Sequence, residues 1–257
     1  MAWTSILQLC SGCLAATKTL AETPPQPTSG VLLLAFTRRS ISPPPKAKAS
    51  KSAKAVPDSS FIIYHSSLDN LAYTESNMLP LGTSAPDFEL PEPATGKNVR
   101  LQDVAAGHRA TVVMFLCNHC PYVLHVNPEI VRVVTYYQPQ GVAFVGISSN
   151  DATTYPDDAP HLMAAHARAV GYDFPYLYDE SQVVARAYDA ACTPDFYIFD
   201  ENLRLAYRGQ LDPSRPKRNP VASTGEDLRA ALDAVLSGQM PSPVQRPSGG
   251  CNIKWKE

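Results

Sequence analysis

The sequence predicts an α/β sandwich, a central mixed β-sheet flanked by helices, and three observations carry that expectation. Two almost wholly apolar runs, residues 111–116 (TVVMFL) and 142–147 (VAFVGI), read as strands buried on both faces. Between them Val123, Val126, Ile130, Val133, Val134 and Tyr137 keep the three-and-four spacing of an amphipathic helix. At the junction of the first run and that helix stands Cys117-Asn118-His119-Cys120-Pro121, a CxxC pair in the setting of a thiol/disulfide redox motif.

The remaining elements follow in order. Pro128 is expected to kink the helix or end its first half. Residues 160–170 read as a second helix, opened by Pro160 and closed by Gly171. Residues 174–178 read as a short strand and 181–188 as a helix. Residues 195–199 and 203–208 form a hairpin around Glu201-Asn202, and 226–236 is a terminal helix capped by Gly238. The order β, α, β, α, β, α, β, β, α is that of a layered α/β domain with a mixed sheet.

Charge divides the 257 residues unevenly. Residues 1–60 hold seven Lys/Arg against Glu22 and Asp58, a net +5, and are rich in Ser, Thr, Ala and Pro. They read as a plastid transit peptide followed by a disordered linker, with a mitochondrial address as the alternative. Cys10 and Cys13, also spaced CxxC, fall in that leader and are incidental to the body. Residues 61–80 read as a connecting arm, 81–240 as the folded domain and 241–257 as a C-terminal tail. The body carries 15 basic against 22 acidic residues, a net −7 that argues against nucleic acid as partner. The six apolar residues 31–36 fall far short of the roughly 20 a membrane helix needs.

A thiolate, not a thiol, attacks a disulfide, so one sulfur must have its charge stabilised. Placing the helix start at Cys117 aims unpaired backbone N–H groups at its sulfur. Cys117 is then the nucleophile and Cys120, one turn on, the resolving thiol. His119 is expected to add positive charge and depress the Cys117 pKa. The competing chemistry is a zinc site, which needs four N/S ligands. Only one spaced pair is present, so neither metal nor cofactor is expected; Cys192 with His119 would make at best an irregular set.

Ala191-Cys192-Thr193-Pro194-Asp195 precedes the strand DFYIFD, and a Thr-Pro at a strand entry is a candidate cis peptide. CxxC after the first buried strand, Thr-Pro before the last hairpin and the order of elements together resemble the thioredoxin fold. More narrowly, SAPDFEL, FLCNHCPYV, GISSND, FPYLYDE, ACTPDFYIFD, YRGQLD and GCNIKWK resemble a redoxin-like branch of the alkyl hydroperoxide reductase/thiol-specific antioxidant (AhpC/TSA) superfamily. The resemblance spans residues 78–257. It implies Cys117 and Cys120 as the redox pair and Thr193-Pro194 as a cis-proline loop lying against them and binding substrate.

Departures narrow what it implies. Leu116 stands where thioredoxins carry Trp, and Asn-His replaces Gly-Pro between the cysteines. Peroxiredoxins place Thr three residues and Pro seven residues before their Cys-Pro; here those positions hold Cys117 and Val113. The function expected is therefore a thiol-disulfide oxidoreductase with an antioxidant or redox-homeostasis role, with a thiol-dependent peroxidase or a metal- or cofactor-binding module as alternatives. Its partners would be a disulfide-bearing protein or small thiol and a recycling dithiol reductant. Cys192, beside the Thr-Pro loop, and Cys251, in the Gly-rich tail, are candidate additional thiols.

Overall fold

In a computed structural model, residues 73–216 and 218–257 are described. The leader, the first part of the connecting arm and Lys217 lie outside them.

The chain runs β1 (Tyr73–Glu75), β2 (Glu89–Glu92), β3 (Lys97–Arg100), α1 (Leu101–Ala105), β4 (Ala110–Phe115) and α2 (Pro121–Tyr137). It continues through β5 (Val142–Ser148), α3 (Pro160–Val170), β6 (Tyr176–Tyr178), α4 (Val183–Ala187), β7 (Cys192–Thr193), β8 (Asp195–Asp200), β9 (Leu205–Gly209), α5 (Glu226–Leu236) and β10 (Gly249–Asn252). The central sheet has the order β6-β5-β4-β8-β9. β4 pairs parallel with β5 and antiparallel with β8, so the sheet is mixed. That is the expected α/β architecture with helices on both faces, a thioredoxin-like fold.

Every residue of β4 and β5 is buried, as strands covered on both faces should be. Period-two alternation then sorts their side chains. Val112, Met114, Phe144, Phe196 and Ile198 pack with Val123, Val126, Ile130 and Val133 of α2 and with Leu228 and Leu232 of α5. Val113, Phe115, Val145, Ile147, Tyr197 and Phe199 face the other way, onto Leu101 of α1, Val184 and Ala185 of α4, and Tyr188.

Two segments depart from expectation. Of the two outcomes expected at Pro128, a kink or an end to the first half of the helix, the second does not occur: Pro128 lies inside α2. Its missing N–H leaves the Leu124 carbonyl without its usual helical donor, at a cost of about 3 kcal/mol. Burial of four α2 residues on the sheet, at roughly 1.5–3 kcal/mol each, exceeds that. Glu129, 3 % exposed, adds a tie to α5 through Arg229 Nη2 at 2.6 Å, and also pairs with Arg132 at 2.6 Å.

The second departure is at the ends of the body. The arm and the tail supply β1 and β10, which join β7 in a three-stranded sheet of order β1-β10-β7. In register, Cys251 lies opposite Tyr73 on one side and Thr193 on the other. A β2–β3 hairpin and the short α1, also unforeseen, precede the central sheet. Among the described residues no helix is long and apolar enough to cross a membrane.

β10 approaches β7 so closely that a Cβ on Gly250 would lie 2.0 Å from the Thr193 carbonyl oxygen. Gly250→Ala should therefore push the strands apart and cost about 1–3 kcal/mol, read as a lowered thermal midpoint, whereas Gly82→Ser, with open space around it, should cost only the strain of its left-handed backbone, φ 80°.

Candidate active site

β4 ends at Phe115 and α2 begins at Pro121, so the CxxC segment crosses the C-terminal edge of the central strand. Cys120 is the N-cap of α2, with extended backbone (φ −64°, ψ 122°), and Pro121 fills the first helical position. The helix thus starts three residues later than the sequence reading placed it. The N–H groups that stabilise an anion converge on Cys120 rather than Cys117.

The Thr193–Pro194 peptide is cis, and Thr193 meets both sulfurs. Its Oγ1 is 3.4 Å from Cys117 Sγ, and its carbonyl oxygen lies 3.3 Å from Cys120 Sγ. Cys251 Sγ lies 2.8 Å from Cys120 Sγ. Cys117, Cys120, Cys192 and Cys251 are all buried free thiols.

Their surroundings separate the two CxxC sulfurs. Burial pushes the Cys117 thiol well above the ordinary thiol range, reinforced by its hydrogen bond to Cys120 and the negative charges of Asp158 and Cys120; the Thr193 hydroxyl works weakly the other way. Burial raises Cys120 too, but donation from Cys117, from Cys251 and from the backbone N–H groups of Val123 and Cys251 holds it well below that range. The reduced pair is best described as one shared proton, with the charge on Cys120.

His119 does not act as expected. Its Nδ1 forms an ion pair with Asp158 Oδ2 at 2.8 Å, and its ring stacks on Tyr155, interplanar angle 4°. Burial is the largest single influence and lowers its pKa, but the hydrogen bond and charge of Asp158, with the charges of Cys120 and Asp157, together raise it. The imidazolium charge is spent on Asp158, and the carboxylate, facing Cys117, holds that thiol up rather than down.

Asp158 was not singled out by sequence. Fully buried, it accepts the Asn118 N–H at 2.8 Å through Oδ1 and the Asn150 side-chain amide at 2.7 Å through Oδ2. Asn118 in turn donates to the Asp157 carbonyl at 2.9 Å and accepts from Tyr176 at 3.2 Å. The two residues between the cysteines are thereby pinned to the loop after β5. The GISSND stretch that carries Asn150 was the available signal. Asp158 itself sits in a 3₁₀ turn, Pro156–Asp158, with no spacing pattern to mark it.

Of the additional thiols, Cys251 joins the cluster. Cys192 does not: its Sγ makes a long contact to the Pro194 carbonyl at 3.9 Å, and burial, then Asp195, raises its pKa well above the ordinary range. Neighbouring strand residues face opposite ways, and Thr193 has taken the face towards the sulfurs. For a metal, one group of three among the described residues, Cys117, His119 and Asp158, has ligand atoms mutually within 4.8 Å. A closed zinc site takes four, and Asp158 already serves Asn118, Asn150 and His119.

Sulfurs at a strand–helix junction beneath a cis-proline loop define a thioredoxin-like protein. The AhpC/TSA family profile matches residues 81–208. An uncharacterized conserved protein from Geobacillus kaustophilus is 58 % identical, with 72 % of this chain and 97 % of that one covered and a TM-score of 0.70. A hypothetical protein from Sinorhizobium meliloti is 46 % identical over 71 % of this chain and 98 % of its own, TM-score 0.69. A thiol-disulfide oxidoreductase from Bacteroides fragilis is more distant, 18 % identical over 49 % and 89 % with a TM-score of 0.42. Among curated proteins none matches. The chain belongs to the AhpC/TSA family of thioredoxin-like redox proteins.

Asp158→Asn should lower the His119 pKa, followed by NMR titration of its ring, and lower that of Cys117. A raised histidine pKa contributes stability that is full below the unfolded value of about 6.5 and lost as pH rises through the folded value. The variant should thus be less stable than the parent by about 1–3 kcal/mol at pH 5.5, with the difference shrinking as pH rises through the His119 titration.

Proposed function

We propose that the protein is a thiol-disulfide oxidoreductase whose couple is Cys117 and Cys120, acting in redox homeostasis. The observation that carries this reading is the meeting of both sulfurs at Thr193, beside the cis peptide. Cys117 attacks a substrate disulfide while its proton passes along the shared hydrogen bond to Cys120. One substrate sulfur leaves as a thiolate and takes that proton. Cys120, again anionic, attacks Cys117 Sγ; the second substrate thiolate leaves and the Cys117–Cys120 disulfide forms. One substrate thiol and one substrate thiolate, which takes its proton from water, are produced for one protein disulfide, and an external dithiol resets the pair.

His119 and Asp158 position the Asn118-His119 segment in this scheme, and Thr193-Pro194 serves as the substrate-facing loop. The substrate is a protein or small-molecule disulfide, with plastid stroma the proposed compartment on the composition of residues 1–60. Those residues fused to a fluorescent protein should deliver it to plastids; delivery to mitochondria would select the alternative address.

A second reading has one observation in its favour. Cys120, an anion at a helix N-terminus followed by Pro121, is the sulfur that a thiol-dependent peroxidase would use. Glutathione redox buffers decide between them. The dithiol reading expects a reversible two-electron couple, mapped to a Cys117–Cys120 disulfide, that is lost in Cys120→Ser, with that variant trapping substrate on Cys117. Steady peroxide turnover with a thiol donor that survives Cys117→Ser and vanishes in Cys120→Ser would favour the peroxidase.

A further inference from the structure

Cys120 meets a second sulfur outside the CxxC motif, that of Cys251, at 2.8 Å. A disulfide bond is about 2.05 Å long, so closing this pair needs a movement of under about 1 Å. The placement of Cys251 is fixed by backbone. Its strand runs between β1 and β7, it lies opposite Thr193, and Gly250 admits the close approach to the Thr193 carbonyl. Lys254, further along the same segment, is anchored by its backbone N–H to Asn150 at 2.9 Å and by its carbonyl to Gln182 at 2.8 Å.

We propose that Cys251 is a third redox thiol of the site, exchanging with the CxxC disulfide so that the once-oxidised protein alternates between Cys117–Cys120 and Cys120–Cys251. The proposal rests on the Cys117/Cys120 reading above and extends it. In the exchange the Cys251 thiolate attacks Cys120 Sγ. The Cys117–Cys120 bond breaks as the Cys120–Cys251 bond forms, and Cys117 leaves as a thiolate that takes up the proton Cys251 gave up. No electrons are gained or lost, so no outside oxidant or reductant enters the step. The product carries a free Cys117 and a covalent tie between the start of α2 and the middle strand of the three-stranded sheet.

The charges favour this order of events. In the reduced protein Cys251 is held protonated first by its hydrogen bond to Cys120, then by burial and the Cys120 charge, with Lys254 opposing. Oxidation of Cys120 removes its negative charge and leaves Lys254 in place. The third thiol is therefore quiet while the pair is reduced and easier to ionise once a disulfide is there to attack.

The test oxidises the full chain with diamide, a two-electron thiol oxidant, and maps disulfides by peptide mass spectrometry without reduction. In Cys117→Ser, Cys120 and Cys251 should lose their free-thiol signals together and appear as one cross-linked peptide pair, absent in the Cys117→Ser/Cys251→Ser double variant. Should Cys117→Ser fold poorly by circular dichroism, Cys117→Ala and the unaltered protein, in which both isomers should be found after partial oxidation, are mapped the same way. Folded protein in which Cys120 pairs with Cys192 or carries no intramolecular bond overturns the proposal. Where the unaltered protein forms Cys117–Cys120 but no preparation forms Cys120–Cys251, the third thiol is refuted and the CxxC reading stands. Absence of Cys117–Cys120 itself refutes the reading beneath it.

Discussion

Thr193 holds the geometry on which the candidate site depends. Its hydroxyl meets Cys117, its carbonyl meets Cys120 and its register partner on β10 is Cys251. Three sulfurs from two distant parts of the chain are thereby referred to one residue, itself buried. The residue can play this part because β7 is short and is followed at once by Pro194 and then β8, the neighbour of β4. Any shift of β8 against β4 would carry Thr193 across the CxxC segment, so the register of the central sheet and the spacing of the sulfurs are one constraint.

Within that frame the electrostatics assign different states to chemically identical groups. Burial alone raises every thiol. What distinguishes Cys120 is the number of donors aimed at it, two S–H groups and two backbone N–H groups. Cys117 has a hydroxyl on one side and the Asp158 carboxylate on another. The His119–Asp158 pair then behaves as a structural clamp: its charges largely cancel each other, and Asp158 spends its remaining capacity on Asn118 and Asn150. A histidine between two cysteines thus fails to lower the first one's pKa because its charge already has a closer partner.

Much of this was legible in the sequence. The CxxC junction, the α2 pattern and the α5 limits follow from local periodicity, because the same few residues that make each element also bury it. Cys120 as helix cap was less accessible. A motif boundary shift of three residues is ordinary, yet it moved the helix N-terminus from one sulfur to the other. β10 was invisible for a different reason: Gly249-Gly250-Cys251-Asn252 has almost none of the β-branched or aromatic character that marks strands. Its glycines are there because side chains would collide with Tyr73 and with the Thr193 carbonyl. Sequence favoured Cys192 as the third thiol through its adjacency to Thr-Pro, but adjacency along a strand sends consecutive side chains to opposite faces.

Burial of all the sulfurs bears on how the two kinds of exchange compare. Cys117 is 1 % exposed and Cys120 not at all, so a substrate disulfide reaches them only when covering groups move. Beside the cysteines, Tyr122 at the start of α2 lies 5.8 Å, centroid to centroid, from Tyr73 of β1, and the Arg218 guanidinium lies 3.8 Å from the centre of the Tyr73 ring. β1 is an edge strand of the three-stranded sheet, held to β10 by three residue pairs. Exchange with Cys251 needs no such opening, because that sulfur is already in contact. Internal transfer and external transfer therefore have separate barriers, one set by sulfur geometry and the other by the cover.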